Sequence, residues 1–146
     1  MVKNFLFALV ALLFCGFATN VFACTCGETT VEESKSIAQV VFLGRIKNKV
    51  KSDAVGKNGA EVTFTGERGW KGQIRKDVKV YSGATRDLYE FIDLCSPEFK
   101  IGNRYVVFAT GEKLLVRLAC SHTTLIPRGG KNHVTQQLGK GSRPKS

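Results

Sequence analysis

Four cysteines constrain the fold of this chain more than any other sequence feature. They are Cys24, Cys26, Cys95 and Cys120, and a fifth, Cys15, lies in the apolar stretch that precedes them. An even number of cysteines in an exported chain predicts two disulfides. A Cys24–Cys26 bond would close a strained small ring, which leaves Cys24–Cys95 with Cys26–Cys120, or the crossed pairing. Each bond would close a long loop and could contribute about 4–5 kcal/mol to folding stability.

A metal site is the alternative interpretation of the same cysteines. The Cys-x-Cys pair could combine with Cys120 and His122, since thiolate and imidazole are the usual ligands of structural zinc. Thiols of exported proteins rarely stay reduced, so we favour disulfides. We therefore expect no metal and no cofactor, with His122 and His133 as surface residues.

Residues 1–23 have the pattern of a secretory signal peptide. Lys3 precedes the apolar run Leu6–Phe17, and small residues ending in Ala23 mark the cleavage position. The run is shorter than the roughly 20 residues that a membrane span requires. We expect cleavage before Cys24 and a secreted, periplasmic or extracellular protein. The alternative is a lipid-anchored envelope protein acylated at Cys24, because "VFAC" loosely resembles a lipoprotein signal.

The charge of the chain is strongly basic, with a formal net charge of +10. A basic exported protein could bind an anionic glycan or a membrane surface, or its charge could serve no partner at all, whereas a nucleic-acid partner is not expected. Residues 127–146 contain several lysines, arginines and glycines but no acid. This composition predicts a largely disordered tail after a single domain spanning residues 24–126.

The pattern of the domain is that of a small β-barrel. Thr30 and Glu33 form a capping box, which predicts a short helix that ends near Ala38. Apolar alternation then predicts five strands, in Val40–Val50, "EVTFTGERGW", "DVKVYSG" and the two halves of "RYVVFATGEKLLVRLAC". The predicted core includes four aromatic residues: Phe42, Phe64, Tyr105 and Phe108. Glycines within and after the strands favour a closed barrel with one or two flanking helices.

These segments, taken together, resemble the N-terminal domain of the tissue inhibitors of metalloproteinases, within the netrin-like family. The matching pieces are the Cys24-Thr25-Cys26 start, "VVFLGRI", "FTGERGWKG", "VKVYSG", Cys95 before "FKIGNRYVVFATG", and "LLVRLACS" with Cys120. They cover residues 24–125. The resemblance implies a five-stranded OB-type barrel and the disulfides Cys24–Cys95 and Cys26–Cys120.

The same resemblance implies an inhibitor of zinc metalloproteases. Cys24 would chelate the catalytic zinc of the protease through its free amine and its carbonyl oxygen. Thr25 would enter the specificity pocket, and Cys26, Ser96 and Pro97 would form secondary contacts. The alternative for Thr25 is a spacer between two structural cysteines.

The chain differs from those inhibitors in two respects. Residues 27–39 lack the cysteine of a third disulfide, and no second cysteine-rich domain is expected after Leu125. Because no nucleophile motif, phosphate loop or carboxylate pair is apparent, we do not expect an enzyme. The leading hypothesis is a monomeric inhibitor with a zinc metalloprotease as its partner. The alternative is a netrin-like binding module for an anionic glycan or an envelope partner.

Overall fold

The computed structural model describes residues 29–55, 59–82, 99–116, 121–130 and 132–145, which are mostly β-structure. In chain order the elements are helix α1 (Val31–Ile37), strand β1 (Val40–Lys51), a 3-10 turn (Asp53–Val55), β2 (Ala60–Lys71), β3 (Asp77–Ser82), β4 (Arg104–Ala109), β5 (Leu115–Val116), β6 (Thr124–Ile126) and helix α2 (His133–Leu138). The predicted signal peptide and all the cysteines lie outside these described residues.

Strand β1 lies at the centre of the sheet because its first half is apolar on both faces. Residues 40–43 are all buried, whereas most of the second half is exposed. Phe42 points into one core, and its neighbours Val41 and Leu43 point into the other. The strand pairs antiparallel with β2 on one side and with β4 on the other. The β1–β2 pairing contains register shifts, which occur where one strand carries an extra residue. Such β-bulges bend the strand that carries them.

The six strands form one sheet in the order β5-β3-β2-β1-β4-β6, and only the β3–β5 pair is parallel. The sheet curls into a half-barrel. Thr110, directly after β4, exchanges two backbone hydrogen bonds of 2.8 Å with Leu115 of β5. The end of β4 therefore contacts the opposite edge strand of the sheet.

The prediction of a β-rich, barrel-like fold is confirmed in this coarser form. The described residues contain six strands rather than the predicted five, since Thr124–Ile126 adds an edge strand beside β4. Three residues are too few to show alternation, which explains why the sequence did not predict this strand. The closed barrel and the two disulfides are not confirmed.

The inner core fills one face of the curled sheet with aromatic rings. Phe42, Phe64, Phe99 and Tyr105 meet edge to face, with ring centroids 5.4 Å apart for Phe42–Phe64, 5.6 Å for Phe64–Phe99 and 5.0 Å for Phe99–Tyr105. Edge-to-face pairs of this kind stabilise a core beyond the area that they bury. Of the four aromatic residues predicted to be core, Phe42, Phe64 and Tyr105 lie here and are buried.

The outer core lies on the opposite face of the sheet and is covered by the two helices. Its buried members come from both helices and three strands: Val31, Ala38, Val41, Leu43, Val106, Phe108, Ile126, Val134 and Leu138. Phe108, the remaining predicted core residue, is 1% exposed and lies beneath this layer. Helices α1 and α2 therefore share one apolar platform.

The expectation of a largely disordered tail is wrong for residues 132–145. Helix α2 begins at the N-cap Asn132, whose side chain accepts a hydrogen bond of 2.8 Å from the Val134 amide. Val134 and Leu138 lie one helical turn apart and are both buried in the outer core. The polar composition of the tail does not predict this docking, because two apolar residues on one face are enough to dock a short helix on an existing core.

Beyond α2, the tail adds to the free edge of β2. Gly69 and Ser142 exchange backbone hydrogen bonds of 2.9 and 2.7 Å, and the Lys145 amide donates to the Ile74 carbonyl at 2.9 Å. A Cβ atom at Gly141 would approach the Gly69 carbonyl oxygen to 2.7 Å. The close approach of the two backbones therefore requires glycine in the tail.

Candidate functional site

The predicted inhibitory site lies outside the described residues. This holds for Cys24, Thr25 and Cys26 at the expected mature terminus, and also for the contact and disulfide residues Cys95, Ser96, Pro97 and Cys120. The structure describes the segments that flank these residues in sequence. They are helix α1 after Cys26, Phe99 after Pro97, and residues 121–123 after Cys120.

Helix α1 is fixed at its N-terminus by the predicted capping box, which is confirmed. The Glu33 amide donates to Thr30 Oγ1 at 3.1 Å, and the Thr30 amide donates to Glu33 Oε2 at 2.7 Å. These bonds satisfy amides that a helix leaves without partners in its first turn. The backbone hydrogen bond from Thr30, followed by that from its hydroxyl, lowers the pKa of Glu33 below its ordinary value.

The C-terminus of α1 is held by a lysine of the sheet. Lys71 Nζ donates to the Lys35 carbonyl at 2.9 Å and to the Ser36 carbonyl at 2.8 Å. An ammonium group at this end of a helix satisfies free carbonyls and complements the helix dipole. Trp70, beside Lys71, donates its indole N–H to the Gly139 carbonyl at 2.9 Å. Trp70 and Lys71 therefore join the end of β2 to the C-termini of both helices.

The segment after Cys120 lies against α1. Ser34 Oγ of α1 and His122 Nδ1 are hydrogen-bonded at 2.8 Å, although 88 residues separate them in sequence. The His122 ring also packs near Phe108, with ring centroids 6.1 Å apart. His122 is half-buried rather than a plain surface residue, and its bond joins the helix that follows Cys26 to the segment that follows Cys120.

Residues 121–123 are fixed to β4 as well. The Phe108 amide donates to Thr123 Oγ1 at 2.9 Å, and the Ser121 hydroxyl donates to the same oxygen at 3.0 Å. Thr123 is 7% exposed, so its hydroxyl needs these partners. The sequence does not predict the bond to β4, because Phe108 lies 15 residues from Thr123 and donates through its backbone amide.

The segment after Cys95-Ser96-Pro97 begins on the other face of the sheet. Phe99 is buried in the inner core, and the Lys100 amide donates to the Tyr105 hydroxyl at 3.2 Å. Phe99 therefore packs in the aromatic core, whereas Ser34 and His122 belong to the outer layer. The three flanking segments are each fixed, but they are not brought to a single face of the sheet.

The described residues offer no metal centre. Within them, no three residues among His, Cys, Asp and Glu are grouped closely enough to hold a metal ion. His122 has no ligating partner in that part of the chain, and the cysteines of the alternative metal hypothesis lie outside it. No helix in the described ranges is long and apolar enough to cross a membrane.

Two charge clusters stabilise the sheet away from these segments. Glu67 forms ion pairs with two arginines that are direct partners on β1 and β4: Arg104 Nη2 lies 2.6 Å from Glu67 Oε2, and Arg45 Nε lies 3.9 Å from Glu67 Oε1. Glu61 accepts from Lys79 at 2.8 Å and from Tyr81 at 3.0 Å. The hydrogen bond from Lys79, followed by that from Tyr81, lowers the pKa of Glu61.

No protein-family model matches the chain, and no curated protein matches it at a significant level.

Proposed function

We propose that the chain is a secreted inhibitor of zinc metalloproteases that acts through its processed N-terminus. A catalytic zinc has three protein ligands and keeps one position for water or substrate. The amine of Cys24, with an ordinary pKa of about 7.7–8.0, is partly neutral near pH 7. Together with the carbonyl oxygen of the same residue it would chelate the zinc, and Thr25 would enter the adjacent specificity pocket.

The observation that carries the proposal is the Ser34–His122 hydrogen bond of 2.8 Å. It joins segments that begin a few residues after Cys26 and directly after Cys120. Thr30 is four residues from Cys26 and an extended chain spans up to about 14 Å over that length. A Cys26–Cys120 disulfide, which needs Cα atoms about 4.4–6.8 Å apart, is therefore compatible with the described contacts.

A rigid base behind the terminus also supports the proposal. A mobile tripeptide would lose affinity through the entropy of ordering on binding. Helix α1 is fixed by the capping box at Thr30 and by Lys71 at its other end. With the two proposed disulfides, Cys24–Cys95 and Cys26–Cys120, the chelating residue would be ordered before it meets a protease. Ser96 and Pro97 would then form a second contact strip next to Cys24.

We infer with this proposal that the sheet closes as a five-stranded OB-type barrel, with β6 as an added edge. The parallel β3–β5 pair and the Thr110–Leu115 bridge support closure, because they join β5 to β3 on one side and to the residue directly after β4 on the other. A closed barrel would leave one fewer exposed edge, and exposed edges invite aggregation.

The decisive experiment compares two oxidised proteins against a panel of zinc metalloproteases. One begins at Cys24, and the other carries a single alanine ahead of it. Inhibition by the first alone supports chelation by the free amine. A matched control inserts the alanine between Gly129 and Gly130, which are exposed, and should inhibit normally. Equal inhibition with and without the leading alanine would reject the Cys24 mechanism.

Two mass measurements complete the test. Peptide mapping without reduction should recover Cys24 linked to Cys95 and Cys26 linked to Cys120, and the crossed pairing would contradict the proposed arrangement. The intact mass of the protein exported from its native cells should equal that of the oxidised chain from Cys24. A mass increased by acyl chains would establish lipid anchoring instead, because acylation consumes the amine that chelation needs.

A further inference from the structure

Docking of the tail gathers six exposed cations along one edge of the sheet. They come from the end of β2, the turn before β3, and the tail, and we call them the basic strip: Arg68, Arg75, Lys76, Lys140, Arg143 and Lys145. The contributing segments are held together by the Gly69–Ser142 and Arg75–Lys145 bridges. The strip exists only while residues 139–145 are docked.

The backbone pairing sets like charges against each other within the strip. Arg75 and Lys145 are direct partners in a parallel bridge. The antiparallel Gly69–Ser142 pair places Arg68 across from Arg143. Like charges directly opposite each other on paired strands destabilise the pairing. We therefore expect the docking of the tail to carry an electrostatic cost at the strip.

A like-charge pair elsewhere in the sheet shows how such a cost can be relieved. Arg45 and Arg104 are also direct partners, on β1 and β4. The carboxylate of Glu67 lies against both of them, as close as 2.6 Å to Arg104. In contrast, no strip cation forms an ion pair with an acidic side chain of the described residues.

The surroundings of the strip distinguish between classes of anionic partner. Segments that lie in a membrane surface combine cations with apolar side chains that insert beside them. Among the described residues the exposed large apolar side chains are those of Ile37, Val50, Ile101 and Leu125, and none of them belongs to the segments that form the strip. Sites for single-stranded nucleic acid combine cations with exposed aromatic rings on which the bases stack. Trp70 beside the strip is half-buried, with its indole N–H bonded to Gly139.

We propose that the basic strip binds a linear sulfated glycan, whose anionic groups take the place that Glu67 fills between Arg45 and Arg104. An extended polyanion matches cations that follow extended backbone. This surface is independent of Cys24, so it goes beyond the proposed inhibition and would hold the protein on an extracellular matrix or cell coat. Ligand binding should also strengthen tail docking, because it removes the repulsion across the Arg75–Lys145 bridge.

The experiment measures binding of the full oxidised protein to a heparin-derived oligosaccharide at several salt concentrations, with its desulfated form as the ligand control. The variant R143E/K145E reverses two strip charges. The matched control K49E/K51E makes the same change in net charge on exposed residues of β1. Since each exposed charge contact contributes a fraction of a kcal/mol, the strip variant should bind about tenfold more weakly, with a shallower salt dependence.

A second variant tests whether R143E/K145E weakens binding only because the tail no longer docks. R75Q/K76Q leaves the tail sequence unchanged and should also weaken binding. The protein has one tryptophan, Trp70, which contacts Gly139 and so reports docking through its fluorescence. Equal weakening by R143E/K145E and K49E/K51E would overturn the proposal, as would full binding by R75Q/K76Q. Tighter binding to anionic phosphatidylglycerol vesicles or to a single-stranded oligonucleotide would overturn the choice of a glycan.

Discussion

Helices α1 and α2 cover the same outer core, but they are attached to it in different ways. Helix α1 uses polar bonds at both ends and in the middle: the Thr30–Glu33 box, Lys71 at its last carbonyls, and Ser34 bonded to His122. Helix α2 depends mainly on the buried side chains of Val134 and Leu138, with its N-cap Asn132 at one end and the indole of Trp70 bonded to the Gly139 carbonyl at the other.

The two kinds of attachment differ in whether the sequence predicts them and in the free energy that opens the helix locally. A capping box lies within a few residues of sequence and is visible there. Apolar docking depends on a platform built by distant strands, so the same residues predict little on their own. We expect α2 and the tail to open locally at a lower free energy than α1, because fewer contacts hold them.

The largest expected effect comes from removing the shared platform. Phe108→Ala should cost about 3–5 kcal/mol of unfolding free energy, the usual range for a buried phenylalanine. Both helices should lose hydrogen-exchange protection together, which erases the difference between them. Leu125→Ala on β6, 48% exposed, is the control and should change stability by less than about 0.5 kcal/mol. Loss of protection in only one helix would mean that they do not share a platform.

A smaller effect should separate the helices. Leu138→Ala should cost about 2 kcal/mol, at the low end for buried leucine, because 8% of Leu138 remains exposed. Trp70 fluorescence should change and the Ser142 amide should exchange faster, whereas α1 stays protected. Ile37→Ala, 71% exposed on α1, is the matched control and should change neither readout. Unchanged exchange at Ser142 in Leu138→Ala would show that the tail docks without α2.

The caps provide a finer comparison. Thr30→Ala and Asn132→Ala should each cost about 1 kcal/mol, because each removes an acceptor for amides of the first helical turn. The first should speed exchange at the Glu33 amide and the second at the Val134 amide, the groups that these side chains accept from. Thr30→Ser and Asn132→Asp keep an acceptor and should retain protection. Exchange that rises in both helices from one substitution would contradict independent attachment.

The smallest effect is a pH dependence confined to α1. The folded-state pKa of Glu33 is lowered below 4.5 by its bonds to Thr30. Its contribution to stability is therefore complete above pH 4.5 and is lost as the pH falls through the lowered value. The difference in unfolding free energy between the wild type and Glu33→Gln should shrink over this acidic range. In a Thr30→Ala background the difference should be smaller at every pH, and an unchanged difference would assign the effect to another partner.

Local signals predicted much of the sheet and one helix. Alternation at Val62 and Phe64, and again at Val78 and Val80, correctly gave the buried faces of β2 and β3. The capping box gave α1. These features depend on spacings of two to four residues, which a sequence displays directly.

Long-range features could not be obtained in that way. The Ser34–His122 bond joins residues 88 apart, and tail pairing with β2 depends on backbone groups that carry no sequence identity. Composition alone misled the prediction for residues 132–145, where two apolar residues outweigh many polar ones. The candidate site itself, at Cys24, Thr25 and the other cysteines, stays a prediction.

The pairing of the tail with β2 has a consequence for the order of folding. Ser142 contacts Gly69 across a separation of 73 residues, so this contact closes a very long loop and forms late. During synthesis, the end of β2 stays uncovered until residues 139–145 have emerged. A nascent chain therefore carries an unfinished sheet edge throughout elongation, and a translocation machine or a chaperone that recognises extended backbone would have that whole interval in which to engage it.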